Sequence, residues 1–300
     1  MQIPVQPGDS TDGAQLRAIA RSFLTRTSPQ AEVRRLMATE AGYDGALWRR
    51  MAAEGGNVTA SRGAGNEWVL RGDAGFVLDG HLAALVLVPA LAGRDVSLFA
   101  VGADAGGVRR TALDTMDQTR KQARLSFDGT PARLVGAAGD GSRVLSRVLD
   151  RAAVALAAEQ VGGASRCLEM AVEYAKTRVQ FGRPIGSFQA VKHKCADMLV
   201  ALELARSSLF QAVRQAAADD PGLPASASIA KTLCSEAYLH VAAENIHVHG
   251  GTGFTWEHPA HLYFRRAKSS EVLLGTPAYH RRRFARLWQL APSRTRGAGG

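Results

Sequence analysis

Apolar positions recur with a helical period towards both ends of the chain and fall into short, Gly-punctuated runs between them. In residues 14–26, Leu16, Ile19, Ala20, Phe23 and Leu24 share one face with arginines opposite, the spacing of an amphipathic helix. Pro29 opens a second predicted helix, and residues 43–51 carry Leu47, Trp48 and Met51 on a short third. The periodicity then stops, and residues 55–65 read as a turn-rich linker. Beyond it, 67–72, 76–78, 83–88, 96–101 and 124–128 are short β-prone runs bounded by Gly and Asp, which predict a small antiparallel β-domain over 66–137. From Ser142 the helical period returns in Ala- and Leu-rich segments near 142–177, 188–218, 225–248 and 277–290, with a clear break at residues 219–224. Long helices with short connections predict a C-terminal four-helix bundle over 142–290. Residues 1–54 are expected to form a shortened helical N-terminal domain and 291–300 a flexible tail. The expected fold class is mainly α with a central β-domain.

Three hundred residues with 46% hydrophobic content suffice for a buried core. No run of eighteen apolar residues occurs, and the first residues, Met1 to Gly8, lack the basic and apolar regions of a secretion signal. A cytoplasmic protein that does not enter the membrane is expected. Cys167, Cys195 and Cys234 are far apart within helical patterns and read as reduced core thiols. The net charge of +10 is partly local, since residues 276–300 hold six arginines and no acid. No recognition motif or aromatic-interleaved basic stripe accompanies it, so nucleic acid is not an expected partner. A basic balance suits phosphate-bearing small molecules or an acidic protein partner.

Two segments carry the candidate chemistry. The first is Tyr174-Ala-Lys-Thr-Arg178-Val-Gln180-Phe181-Gly182-Arg-Pro184-Ile-Gly186-Ser-Phe188-Gln189, which ends a long helix in a cation and an aromatic before turning into the next helix. The second, His249-Gly250-Gly251-Thr252-Gly253-Phe254-Thr-Trp256-Glu257-His-Pro259, contains a Gly-rich turn that lets backbone approach a ligand. Together they resemble the two C-terminal signatures of flavin-dependent acyl-CoA dehydrogenases, over residues 66–290 and more loosely over 14–54. The resemblance implies that family's fold, with a shortened N-terminal domain. The strand and helices with a Thr-Glu…Gly-Ser-Asp motif that the family carries between the Trp48 helix and the Trp68 strand are absent here. In the family those elements help form the acyl pocket and touch the flavin ring.

The resemblance also implies FAD as cofactor. Arg178 would meet the diphosphate, Phe181 would pack on the adenosine half and Gln189 would hydrogen-bond the nucleotide, commonly across a subunit interface. His247 stands where the family usually has Gln. Gly250 and Gly251 would offer backbone, and Thr276 matches a flavin-contacting Thr. Dehydrogenation of a thioester needs a base opposite the flavin to take the α-proton. By alignment, the usual base position is Leu274 and the alternative one, twenty-six residues before Arg178, is Ala152. Neither accepts a proton, so no catalytic residue is expected in this chain. Glu271, Glu159 and Asp150 read as surface or packing carboxylates. His247 and His249, at i and i+2, do not share a helix face, so no metal site is expected. His258, His261 and Trp256 read as structural, and Arg281 to Arg283 as a solvated basic face. The run from Trp256 to Tyr263 and the missing base resemble one subunit of heteromeric (α2β2) acyl-CoA dehydrogenases that act on bulky thioesters, notably steroid side-chain CoA esters. The expected partners are an acyl-CoA substrate and a second, base-bearing dehydrogenase-like chain. The alternative is a non-catalytic, degenerate scaffold subunit.

Overall fold

The computed structural model of the chain describes residues 58–290 except 64, 66 and 103. The helices expected at 14–26, after Pro29 and at 43–51, and the expected tail, lie outside the described residues. The first six described elements are strands: β1 (Val58–Arg62), β2 (Trp68–Leu78), β3 (Leu85–Ala92), β4 (Asp95–Gly102), β5 (Val108–Leu113) and β6 (Gln122–Val135). They form one sheet in the order β2-β1-β3-β4-β6-β5, and an additional β2–β6 ladder closes it into a small barrel. Alternation turns Val88, Ala90, Phe99, Val101, Leu125 and Phe127 inward with Leu70. Burying a Leu or Phe fully is worth about 1.5–3 kcal/mol, so this cluster holds the barrel without a covalent staple.

Two expectations need correction here. Val58–Arg62 lies inside the stretch read as linker, yet it is a strand that pairs antiparallel with β2 and parallel with β3, so the sheet is mixed rather than purely antiparallel. Only Val58 and Ala60 of this strand are buried, too short an alternation to stand out in a Gly-rich stretch.

The rest of the described chain is mainly helical: α1 (Gly141–Thr177), α2 (Gln189–Ala217), α3 (Leu223–His249), α4 (Ala260–Val272) and α5 (Pro277–Leu290), with a single turn at Gly251–Phe254 between α3 and α4. The bundle's fourth member is therefore the pair α4 and α5, not residues 277–290 alone. α3 is its axis, with 17 of 27 residues buried, against four of 29 in α2. The Gln160–Ser235 hydrogen bond and the Tyr174–His249 ring stack show α1 and α3 running parallel. Lys194 to Glu244 and Ser208 to Cys234 show α2 antiparallel to α3. The break between α2 and α3 falls where the sequence placed it: Asp219 turns with positive φ, and Arg147 and Arg151 of α1 bind its carboxylate at 2.7 and 2.9 Å. Their hydrogen bonds hold the Asp219 carboxyl below its ordinary range. All three cysteines are free thiols, and burial pushes the Cys234 thiol up to about 12. None of the described helices is long and apolar enough to cross a membrane.

Candidate functional site

α1 ends at Arg178, whose backbone N–H donates to the Tyr174 carbonyl at 2.8 Å. The chain then makes a hairpin, β7 (Val179–Gln180) against β8 (Arg183–Pro184). Phe181 and Gly182 both have positive φ, 53° and 76°, the twist that a two-residue hairpin turn requires. Phe181 therefore projects from the tip, 91% exposed, and meets the Phe188 ring edge-on. Arg183 stacks over the Phe188 ring, 4.2 Å from its centroid. Gln189 is exposed at the first position of α2. Arg178 is exposed and has no ion-pair partner among the described residues.

The Gly-rich turn meets this hairpin through a column of rings. Tyr174, one turn before Arg178, stacks on buried His249 with centroids 4.4 Å apart, and the His258 ring lies against His249 at 4.3 Å. His249 is further held by its Nδ1, 2.8 Å from the Asn245 carbonyl oxygen. Gly250 follows with φ 60° and ψ −142°, a conformation that only glycine adopts readily. A Cβ built on Gly250 or Gly251 would meet no atom within 4 Å, so the turn faces open space that a ligand can enter. His247 is exposed on α3, its Nδ1 3.3 Å from Glu244. Burial alone would raise the Glu244 carboxyl, but hydrogen bonds from Lys194 and His247 hold it below the ordinary range. Beside His247 opens a mostly apolar cleft of about 380 Å³, lined by Ile246, Phe254, Trp256, Phe264 and Arg265 among others. Trp256 packs against the Arg265 guanidinium and the edge of His261.

The remaining expected positions are elsewhere. Leu274 and Thr276 lie in the turn between α4 and α5, which packs against α3 near Lys231. Eighteen residues of α3 separate Lys231 from His249, roughly 27 Å at 1.5 Å per residue. Ala152 sits on α1 towards this same end, two residues from Asp150, which pairs with Arg283 of α5 at 2.5 Å. The structure thus gathers Arg178, Phe181, Gln189, His247, Gly250 and Gly251 at one end of the bundle. It places Leu274, Thr276 and Ala152 at the other.

At that second end, the carboxylates Glu271, Glu159 and Asp150 are each paired with a cation. Glu271 takes Lys268 at 2.6 Å, and Asp150 takes Arg283. Glu159 is shared between Arg120 and Arg266, the latter at 3.3 Å, and Arg266 reaches on to buried Asp117 at 2.7 Å. These last pairs tie the loop before β6 to α1 and α4. Leu274 itself has φ 59°, and its carbonyl accepts a hydrogen bond from His280 Nε2 at 2.9 Å.

Sequence reasoning missed Lys231. It is fully buried, and its Nζ donates to Ser235 Oγ (2.9 Å) and to the carbonyls of Ser270 (3.0 Å), Glu271 (3.1 Å) and Gly275 (3.2 Å). Burial pushes its ammonium down to about 8, against the pull of Glu271. A single lysine among small residues in the most enclosed helix was the signal available. Arg281 to Arg283 do not form a uniform solvated face, because Arg281 pairs with Glu236 and Arg283 turns inward to Asp150. Among the described residues no His, Cys, Asp and Glu groups gather as a metal site.

A closed β-barrel joined to a helical bundle, with an Arg-Phe hairpin beside a Gly-Gly turn, is the architecture of the acyl-CoA dehydrogenases. Residues 139–288 match the acyl-CoA dehydrogenase C-terminal domain, and the chain belongs to the acyl-CoA dehydrogenase family. It is 34% identical to Acyl-CoA dehydrogenase IpdE2 of Mycobacterium tuberculosis, across 91% of this chain and 96% of that protein. Among solved structures it resembles a chain of the ChsE4-ChsE5 complex from Mycobacterium tuberculosis, with TM-score 0.80 and 26% identity over 96% of this chain and all of that one. Butyryl-CoA dehydrogenase from Megasphaera elsdenii aligns with TM-score 0.75 and 27% identity, over 79% of this chain but 64% of that chain.

Proposed function

We propose that this chain is the base-lacking subunit of a heteromeric, FAD-dependent acyl-CoA dehydrogenase, arranged α2β2, that forms a 2,3-enoyl-CoA from a bulky acyl-CoA of the steroid side-chain type. The carrying observation is chemical. Leu274 and Ala152 stand where the family's proton acceptor belongs, and Glu271, Glu159 and Asp150 are each held by a cation. The α-proton therefore goes to a carboxylate of the companion chain. FAD, when bound, supplies the acceptor for the β-hydride.

The separation of the two residue groups supports sharing of flavins between chains. Arg178 would neutralise the diphosphate, Phe181 would cover the adenosine half, and the amides at Gly250 and Gly251 would approach the nucleotide, with Gln189 and His247 at its rim. These residues would serve a flavin seated mainly in a neighbouring chain. Thr276, at the far end, would serve a flavin seated in this one. Exposed apolar side chains also favour association: Phe181 and Phe254 near the first group, and Val200, Leu204 and Phe210 along α2. Similarity to a chain of the ChsE4-ChsE5 complex and to a steroid acyl-CoA dehydrogenase variant supports both the hetero-oligomer and the bulky substrate.

Co-expression with a full-length, base-bearing acyl-CoA dehydrogenase chain tests the reading. A yellow complex of unlike chains that releases FAD on denaturation is expected. Colourless chains that do not associate would reject it and leave the scaffold alternative.

A further inference from the structure

The last carbonyls of any helix lack donors from their own helix, and a buried ammonium is tolerated only when its N–H groups are all used. At the end of α4 these two needs meet. Lys231, reaching across from α3, donates to the Ser270 and Glu271 carbonyls of the final α4 turn and to the Gly275 carbonyl beyond it. Its fourth partner, Ser235 Oγ, is tied to Gln160 of α1, whose Nε2 also donates to the Ser270 carbonyl at 3.1 Å. None of the four acceptors is charged, so this is no ion pair. It is a cationic cap supplied to one helix by another.

The turn it holds is unfavourable on its own. Leu274 has φ 59° and Gly275 φ 105°, and a bulky residue in the left-handed region is strained unless its surroundings fix it. Two buried groups fix this one: His280 holds the Leu274 carbonyl and Lys231 the Gly275 carbonyl.

We propose that Lys231 is a positioning residue, bridging α3 to the end of α4 and to Gly275 so that the turn at residues 273–276 is locked in the geometry that presents Leu274 and Thr276. The proposal rests on the function proposed above in one respect only, that Thr276 faces a flavin. The lock itself is a property of this chain alone. A lysine that merely filled space would be replaced without consequence by methionine, which has similar length and no donors.

Amide hydrogen exchange on the full chain and on Lys231→Met decides between the two. Exchange across residues 270–277 is expected to quicken about tenfold in K231M, with α1 and α2 unchanged; equal exchange in both proteins overturns the lock. Leu274→Asn, a residue that accepts left-handed φ more readily, is expected to restore part of the protection in K231M, and a double variant as loose as K231M counts against the proposal. Should K231M not fold, the wild-type chain answers in a sub-denaturing urea series. Acetylation of Lys231 must then rise together with exchange at 270–277, and labelling that waits for global unfolding contradicts the lock. In the complex with the companion chain, K231M is expected to hold FAD about tenfold more weakly. Loosened exchange with unchanged FAD affinity keeps the lock and removes Thr276 from the flavin, which places the failure in the function proposed above.

Discussion

Arg178 is exposed and owes nothing to the core, so the Arg178→Asp variant should fold normally and yet repel a diphosphate. The expected result is unchanged circular dichroism with FAD lost from the purified complex; retained FAD would remove Arg178 from the site. His280 carries a pH dependence. Burial keeps its ring below its ordinary value of 6.5, Lys231 and Arg283 push the same way, and the Leu274 carbonyl and Asp150 oppose them without winning. The fold thus favours the neutral ring. The stability this confers is complete above pH 6.5 and is lost as pH falls through the lower folded value, because the unfolded chain takes the proton first. In urea unfolding, wild type should lose more stability below pH 6.5 than His280→Gln, and parallel losses would contradict it. At this scale the motif residues were legible, since glycines and a cation beside an aromatic announce close approach to a ligand. Lys231 and His280 were not, because their partners are mostly backbone carbonyls, which leave no mark in a sequence.

α1 and α3 cross where Gly163 meets Tyr238. A Cβ on Gly163 would fall 2.4 Å from the tyrosine ring, and Tyr238 is enclosed on α3, the axis of the bundle. Gly163→Ala is therefore expected to cost about 1–3 kcal/mol by overpacking. A urea midpoint equal to wild type would show that the helices separate without penalty. The helices at 142–177, 188–218, 225–248 and 277–290 could be read from the sequence within a few residues, because each carries a long apolar stripe. α4 could not, since its sequence, AHLYFRRAKSSEV, spends Arg265, Arg266 and Lys268 on bonds to the loop before β6, to Glu159 and to Glu271. β5 was missed for a similar reason. It pairs with β6 alone, and Arg109, Thr111 and Ala112 are exposed, which leaves little alternation to detect.

Across the whole molecule, the two ends of the bundle divide the chemistry. One end presents Arg178, Phe181 and an open Gly-Gly turn, and the other presents a turn locked in place around a leucine. The chain-order pattern of helices, strands and helices made the fold class legible. It did not reveal that the expected contacts lie roughly 27 Å apart along α3, because that separation exists only once α1 and α3 are laid parallel. Under the proposed function, a chain so divided would contribute to two flavin sites while completing neither. The most direct measurement is anaerobic addition of a steroid side-chain acyl-CoA to three samples: this chain alone mixed with free FAD, the flavin-loaded complex with its companion, and a flavin-loaded complex in which Glu271, Glu159 and Asp150 of this chain are replaced by their amides. The flavin absorbance should bleach in both complexes and stay unchanged in the chain alone. Bleaching by the isolated chain, or its loss in the amide-substituted complex while that complex keeps its flavin, would contradict the claim that the proton acceptor belongs to the companion.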